Sequence, residues 1–413
     1  MLVGAACAAS GNDEATTPDP DPSETVIPDA GAPVDAGAEA SAGGPVCSEA
    51  GWCRTTLPDA DLVMVDIWPL AGHAFAIAQS ATVGIKVLEW TESDAKWKYI
   101  DDATQNAPDV GTFAGRIWAP DADEVYFGVG AGYVYRGTRP TPPETAWSWT
   151  RHRLIDNGKL GGAPNPAYAQ MGGRRYPALG VWGTSRSDVY AWFKNTIFRW
   201  KSIGSAAPEW VPEYVAQDAD AESEHLLFVS AAGTGPDDVW FSGARSQATR
   251  ACALVVHKTT AEYQRVADGL ASAAQCAPRD GALMLGGPEG WLTDLQAVAT
   301  GQVVGLKGAR APVKISVDGA GYAVDVRPIA GSSLGLSAGA TFTSLASVSG
   351  DLWLSTNRMV IRGTDVWTGG QYAISTLALM GAPVRYDLNQ VRGTSNTNLW
   401  AIGDRYALHK TTP

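Results

Sequence analysis

The chain lacks any run of apolar residues long enough to cross a membrane. None of its 413 residues begins a stretch approaching the ~18 consecutive apolar positions of a transmembrane helix. It also lacks a basic excess: 31 Lys and Arg stand against 43 Asp and Glu, for a net charge of −12. Nucleic-acid binding needs a basic footprint, so that class is set aside. The five cysteines include no CxxC pair, and the five histidines are scattered at 73, 152, 225, 257 and 409. No zinc site or other metal centre is expected from such spacing. There is no GxSxG elbow, no phosphate-cradling glycine loop and no HExxH. Neither a cofactor nor a catalytic set is expected.

What is present is one phrase repeated with variation. An apolar run ends in a small turn, and a β-branched and aromatic pair follows. It reads IWPLAGHAF around Trp68, IWAPDADEVYF around Trp118, VWGTSRSDVYAW around Trp182 and AAGTGPDDVWF around Ala232. Later copies centre on Val298, Val348 and Arg392. The intervals between these seven markers are 50, 64, 50, 66, 50 and 44 residues, so about 50 is the undecorated unit. Each phrase reads as strand, tight turn, strand. Two further strands follow, as Tyr133–Arg136 and Trp147–Thr150 do after Val125. Four antiparallel strands in a unit of this length make one blade of a β-propeller. The fold expected is all-β: seven four-stranded blades.

The two ends fit ring closure. The last copy supplies strands near 388–391, 399–402 and 406–410, then stops at Pro413. An orphan segment, 52–57, precedes the first copy and is expected to be the missing outer strand of the last blade. Closure removes an open sheet edge.

The opening GWCxxxLP at 51–58 and the phrases VWGTSxSDVYAW (181–192) and RGTSNTNLWAIGD (392–404) resemble a family of secreted bacterial repeat propellers. The resemblance covers roughly 47–413. It is fullest in the copies at 182 and 392, partial at 118, 232 and 348, and faint at 68 and 298. It implies architecture and export, and no particular activity. The SxDxGxTW pattern of Asp-box sialidase propellers is absent.

Residues 1–46 differ from the rest and form the first expected region, with the propeller as 47–413. Residues 8–46 hold eight acids, no Lys or Arg, and almost no large apolar side chains, so no core can offset their ordering entropy. This reads as a disordered acidic spacer. Gly4-Ala5-Ala6-Cys7 resembles the end of a bacterial lipoprotein signal with Cys7 as the acylated residue. The basic and apolar parts of such a signal do not precede it. Any membrane association is expected only through this anchor. The other four cysteines allow three connectivities; the local one, Cys47 with Cys53 and Cys252 with Cys276, is expected, each pair within the ~4.4–6.8 Å Cα window. They point to the cell envelope or the exterior.

Asp123, Asp188, Asp238 and Asn398 recur at one turn per blade, which argues for structure, since an active site needs one copy. Asp59/Asp61 and Asp101/Asp102 read as solvated loop acids rather than a glycosidase pair. Two long connections, 156–176 and 267–290, lie on the propeller face that also carries the second-to-third strand loops. Arg174, Arg175, Tyr176, Arg245, Arg250 and Arg405 are expected to gather there as a ligand-binding site for a protein or glycan. The function expected is a monomeric, non-catalytic, exported binding or scaffolding propeller. A propeller glycosidase or lyase using non-repeated acids at that face, and a structural subunit of an envelope assembly, remain open.

Overall fold

The computed structural model describes residues 46–413 except 112, 156–158, 161–162, 165–167, 172–173, 219–222, 248–249, 272–275, 287–289, 330 and 338–339. The acidic spacer and Cys7 therefore lie outside the described residues. Residues 45–413 form one compact unit. Seven four-stranded antiparallel sheets follow one another along it. The inner strands of blades 1 to 7 are Val63–Leu70, Ala114–Asp121, Leu179–Ser185, Glu224–Gly235, Leu292–Ala299, Ser344–Val348 and Leu388–Ser395. The chain is a seven-bladed β-propeller.

The blades pack face to face, so the core lies between them. Phe75 and Ile77 of blade 1 join Ile117, Phe127 and Tyr135 of blade 2 in one cluster. Trp400 and Ile402 of blade 7 join Ile67, Trp90 and Trp97 of blade 1 in another. Second strands such as Glu124–Val129 and Asp188–Phe193 are buried along their whole length. The outer strand Ser148–Arg153 is exposed at alternate positions or more. That gradient explains the near-continuous apolar runs inside and the polar edge outside.

The ring closes as its ends predict. Trp52–Arg54 pairs antiparallel with Tyr406–Lys410, with Trp52 opposite Lys410. Only 52–54 form that strand; Thr56 instead bridges in parallel to Lys96 of blade 1, so 52–57 spans the seam between the two blades. Cys47–Cys53 and Cys252–Cys276 are both disulfides, with Cα separations of 3.9 and 5.8 Å. The first is closer than the expected window. Cys47 and Cys53 face each other as an antiparallel bridge, flanked by the bonds from Arg54 N to Val46 O and from Ser48 N to Trp52 O. Directly opposed residues between such bonds approach closely.

Strand register corrects two marker positions. Trp68, Trp118, Trp182, Ala232 and Arg392 stand opposite Phe75, Tyr126, Tyr190, Trp240 and Trp400. The equivalent residues of blades 5 and 6 are Gln296 and Ala346, opposite Val304 and Trp353, not Val298 and Val348. Here this is termed the axial position. The tryptophans at it in blades 2 and 3 pack on the glycine one past the axial position of the following blade. A Cβ on Gly183 would lie 2.9 Å from the Trp118 ring, and one on Gly233 would lie 3.0 Å from that of Trp182.

An inner strand has one edge with no strand beside it, and its amides need acceptors. At four of the seven blade junctions a side chain from the preceding blade supplies one. Asp66 accepts from Ile117 N at 2.9 Å, and Ser230 from Leu295 N at 3.0 Å. Ser344 accepts from Val391 N at 2.7 Å, and Gln390 from Ile67 N at 3.1 Å. In each case the acceptor lies two residues before the axial position, and the donor lies one residue before that of the next blade. The Gln390 bond joins blade 7 to blade 1, so the ring is closed at its inner as well as its outer edge. Removing one such acceptor strands a buried amide. Ser344→Ala is expected to lower unfolding free energy by about 1–3 kcal/mol, read by denaturant titration, while the exposed Ser93→Ala changes it by less than about 0.5 kcal/mol.

Candidate functional site

Of the residues expected to gather on one face, Arg245 and Tyr176 are drawn into the fold. Arg245 is fully buried. Its Nε and Nη2 donate to Asp268 at 2.8 and 3.0 Å, and its Nη1 donates to Glu224 at 2.8 Å and to the Asp218 carbonyl at 2.9 Å. Arg265 and Arg279 complete the cluster around Asp218 and Asp268. Burial alone would lower the Arg245 pKa, but the Asp268 and Glu224 carboxylates raise it. This network and the Cys252–Cys276 bond fasten the 267–290 connection to blade 4, so Arg245 is structural. Tyr176 is buried and lies 6.5 Å from Trp291 in a stacked arrangement. Arg405 sits over the ring of Tyr386 at 4.7 Å and donates to its hydroxyl at 3.0 Å. Arg250 is exposed at the start of the strand Arg250–Lys258. Arg174 and Arg175 belong to the short strand Arg174–Pro177, and their side chains lie outside the described residues.

The axis of the ring holds four charges that the sequence reading missed. Asp66 of blade 1 stands between two guanidiniums, 3.5 Å from Arg116 Nη1 and 3.6 Å from Arg392 Nη1. Arg116 of blade 2 reaches across to Asp294 of blade 5 at 3.9 Å. Asp294 takes a left-handed φ of +53° where the strand register shifts between Thr293 and Gln296. Its Oδ2 is buried with no hydrogen-bond partner. Burial pushes the Asp294 carboxyl up, and Arg116 offsets this only in part. Burial also lowers the Arg392 pKa, against the pull of Asp66. Arg174–Pro177, which carries Tyr176, packs against the strand Ala114–Asp121 that carries Arg116.

A cavity of about 330 Å³ opens where the inner strands run into their turns to the second strands. This mouth is opposite to the face where the arginines were expected. Its walls include Trp68, Trp182, Thr184, Thr234, Gln296 and Arg392. Arg392 closes its inner end: Nη1 donates to the Ile67 carbonyl at 3.0 Å, and the guanidinium lies 4.9 Å over the Trp68 ring. Thr184 and Thr234 donate to Asp188 and Asp238, both at 2.6 Å. Pockets of this size and mixed lining, concave and aromatic with few polar groups, suit small ligands or chain segments.

The recurrent acids are occupied in every blade where they occur. Asp188 accepts from Arg199, and Asp238 from Thr234, Trp240 and His257. Asn398 bonds Thr394, Trp400 and His409 in the same way. In blade 2 the register puts Glu124, not Asp123, at this place, where it accepts from Arg136 at 2.8 Å. Asp59 accepts from Tyr99, Asp61 from Ser80 and Thr82, Asp101 from Lys86 and Val87 N, and Asp102 from Thr104. These acids fasten loops. Among the described residues no group of three or more His, Cys, Asp or Glu is placed to hold a metal.

No family model matches this protein, and no curated protein does. Similar solved structures do exist. A structure of YCF48 bound to D1 peptide has 9% identity and a TM-score of 0.53, covering 89% of this chain and 99% of that one. The Cps50 (Swd1) β-propeller domain of Myceliophteria thermophila has 8% identity and a TM-score of 0.53, covering 88% and 99%. PorZ, a bacterial surface component of the type-IX secretion system of Porphyromonas gingivalis, has 13% identity and a TM-score of 0.52, covering 87% and 47%. At such identities the likeness is one of fold.

The histidines in the turn networks give a pH signature. His409 stacks on Trp400 with ring centroids 4.0 Å apart, and burial lowers its pKa from 6.5 to about 4. Below pH 6.5 the unfolded chain takes up a proton that the native state refuses, so stability is full above that value. It falls as pH drops toward about 4, by up to about 3 kcal/mol from this residue. His409→Phe is expected to flatten the wild-type slope across that window, read by denaturant titrations at stepped pH.

Proposed function

We propose that this protein is an exported, non-catalytic binding propeller that holds a protein segment in the cavity between Trp68, Trp182, Gln296 and Arg392. One observation carries the reading. The cavity meets the axial charges through Arg392, which lines it and is paired to Asp66, while the acids that recur around the ring are spent on structure. A mixed pocket on a rigid ring is suited to capture rather than to acid–base chemistry. The fold neighbours support a binding role: YCF48 is bound to a peptide, and PorZ is a surface component of a secretion system. Two disulfides fit an oxidising compartment, envelope or exterior. Anchoring through Cys7 and membership of the secreted repeat family belong to the same proposal.

The opposite face is the second reading. Its support is the non-repeated hairpins of the 156–176 connection, among them Tyr168–Met171 with Arg174–Pro177, and the accessible Arg250. Screening the purified protein against peptide and glycan arrays separates the two. Gln296→Trp fills the cavity and is expected to abolish retention, whereas Arg405→Ala is expected to leave it unchanged. The reverse pattern moves the site to the other face, and turnover of a glycan replaces the binding reading by an enzymatic one.

A further inference from the structure

In a ring of repeats, a residue with a structural task recurs, and one that departs from the repeat needs another reason. The axial position reads Trp68, Trp118, Trp182, Ala232, Gln296, Ala346 and Arg392 around the ring. Five are tryptophan or alanine, which pack between blades. The two polar departures, Gln296 and Arg392, both line the one cavity.

Their hydrogen-bonding groups are not consumed by the fold. Arg392 bonds the protein through Nη1 only, to the Ile67 carbonyl, with Asp66 at 3.6 Å from the same nitrogen. Its Nε and Nη2 donate to nothing among the described residues, although 85% of the side-chain surface is covered, leaving 15% accessible. The Gln296 amide likewise has no partner among them. Asp66 is shared between two guanidiniums, so it does not fully spend the charge of Arg392. Trp68 fixes the plane of the guanidinium from one side. An arginine held by one Nη, with its Nε–Nη2 edge turned to an open cavity, matches the two oxygens of a carboxylate.

We propose that the cavity is a carboxylate-binding pocket. The ligand's carboxylate takes the free Nε–Nη2 edge of Arg392 and the Gln296 amide, and its apolar stem lies against Trp68 and Trp182. This rests on the binding reading above and narrows it to ligands bearing a carboxylate. The carboxylate comes from the C-terminus of a peptide or from an acidic side group within one.

The test uses the full-length protein and tetrapeptides immobilised through the N-terminus in three forms: free C-terminal carboxylate, C-terminal amide, and amide with one internal glutamate. Wild type is expected to retain peptides of the first or third form at least tenfold more strongly than the matching amides, and which form it prefers identifies the source. Arg392→Lys keeps the charge but loses the paired donors, and it is expected to lose that preference at least tenfold. Gln296→Trp is expected to abolish retention altogether. If peptides are retained in a Gln296→Trp-sensitive way with no difference between carboxylate and amide forms, the carboxylate proposal is overturned and the binding reading stands. If no peptide of any form is retained, both fall. Should Arg392→Lys not fold, acetate titrated into arginine-labelled wild type decides by NMR. A saturable shift of one buried Nε–H resonance that is absent in Gln296→Trp supports the pocket, and no shift overturns it.

Discussion

The inner edge of each blade is the constraint on which the rest of the structure depends. An antiparallel sheet that ends at a channel leaves a row of amides without strand partners, and in a narrow channel water cannot serve them all. Here a side chain from the preceding blade does so, at one fixed place in the repeat: Asp66, Ser230, Ser344 and Gln390. These bonds set the stagger and spacing of successive blades. They also explain the axial charges. Blade 2 carries Arg116 at the acceptor place, and an arginine cannot accept. Blade 5 carries Asp294 there, with a left-handed backbone and its carboxylate 3.9 Å from Arg116. The freed side chains meet across the axis, and with Asp66 and Arg392 they close the channel part-way along.

The same ring shows how repetition and departure separate structural from functional residues. Asp188, Asp238 and Asn398 recur and are each engaged by partners in their own blade, and Asp238 and Asn398 also bond Gly301 N and the Leu70 carbonyl of the next one. The large side chain at Trp118 or Trp182 is answered by a glycine in the next blade. Arg392 and Gln296 break the pattern at a position that faces the cavity, and the fold leaves part of each unsatisfied.

Much of this was legible in the sequence. The period, the four strands per unit, the closing segment at Trp52 and both cysteine pairs follow from spacing and strand chemistry. The copies at 298 and 348 were misplaced by two residues, the first with Val304 where other blades carry an aromatic and the second with Trp353 in that place; register, not spelling, identifies Gln296 and Ala346. Arg245 was misread because it finds its acids 21 to 27 residues away along the sequence, a pairing no local pattern displays. Trp68, Trp182 and Arg392 of the cavity were in view throughout as repeat markers. Their meaning needed the ring, since Trp68, Trp182 and Arg392 become neighbours only when seven blades close.

The sealed axis can be examined directly by hydrogen exchange of individual backbone amides. The amides of Ile67, Ile117, Leu295 and Val391, each bonded to a side chain of the preceding blade, are predicted to exchange only by global unfolding, as slowly as the most protected strand amides. The amides of Gly233 and Gly393, two residues further along the same edge and facing the cavity, are predicted to exchange far faster. Rapid exchange at the first four positions under native conditions would mean that water runs through the axis, and would contradict the account of a closed channel.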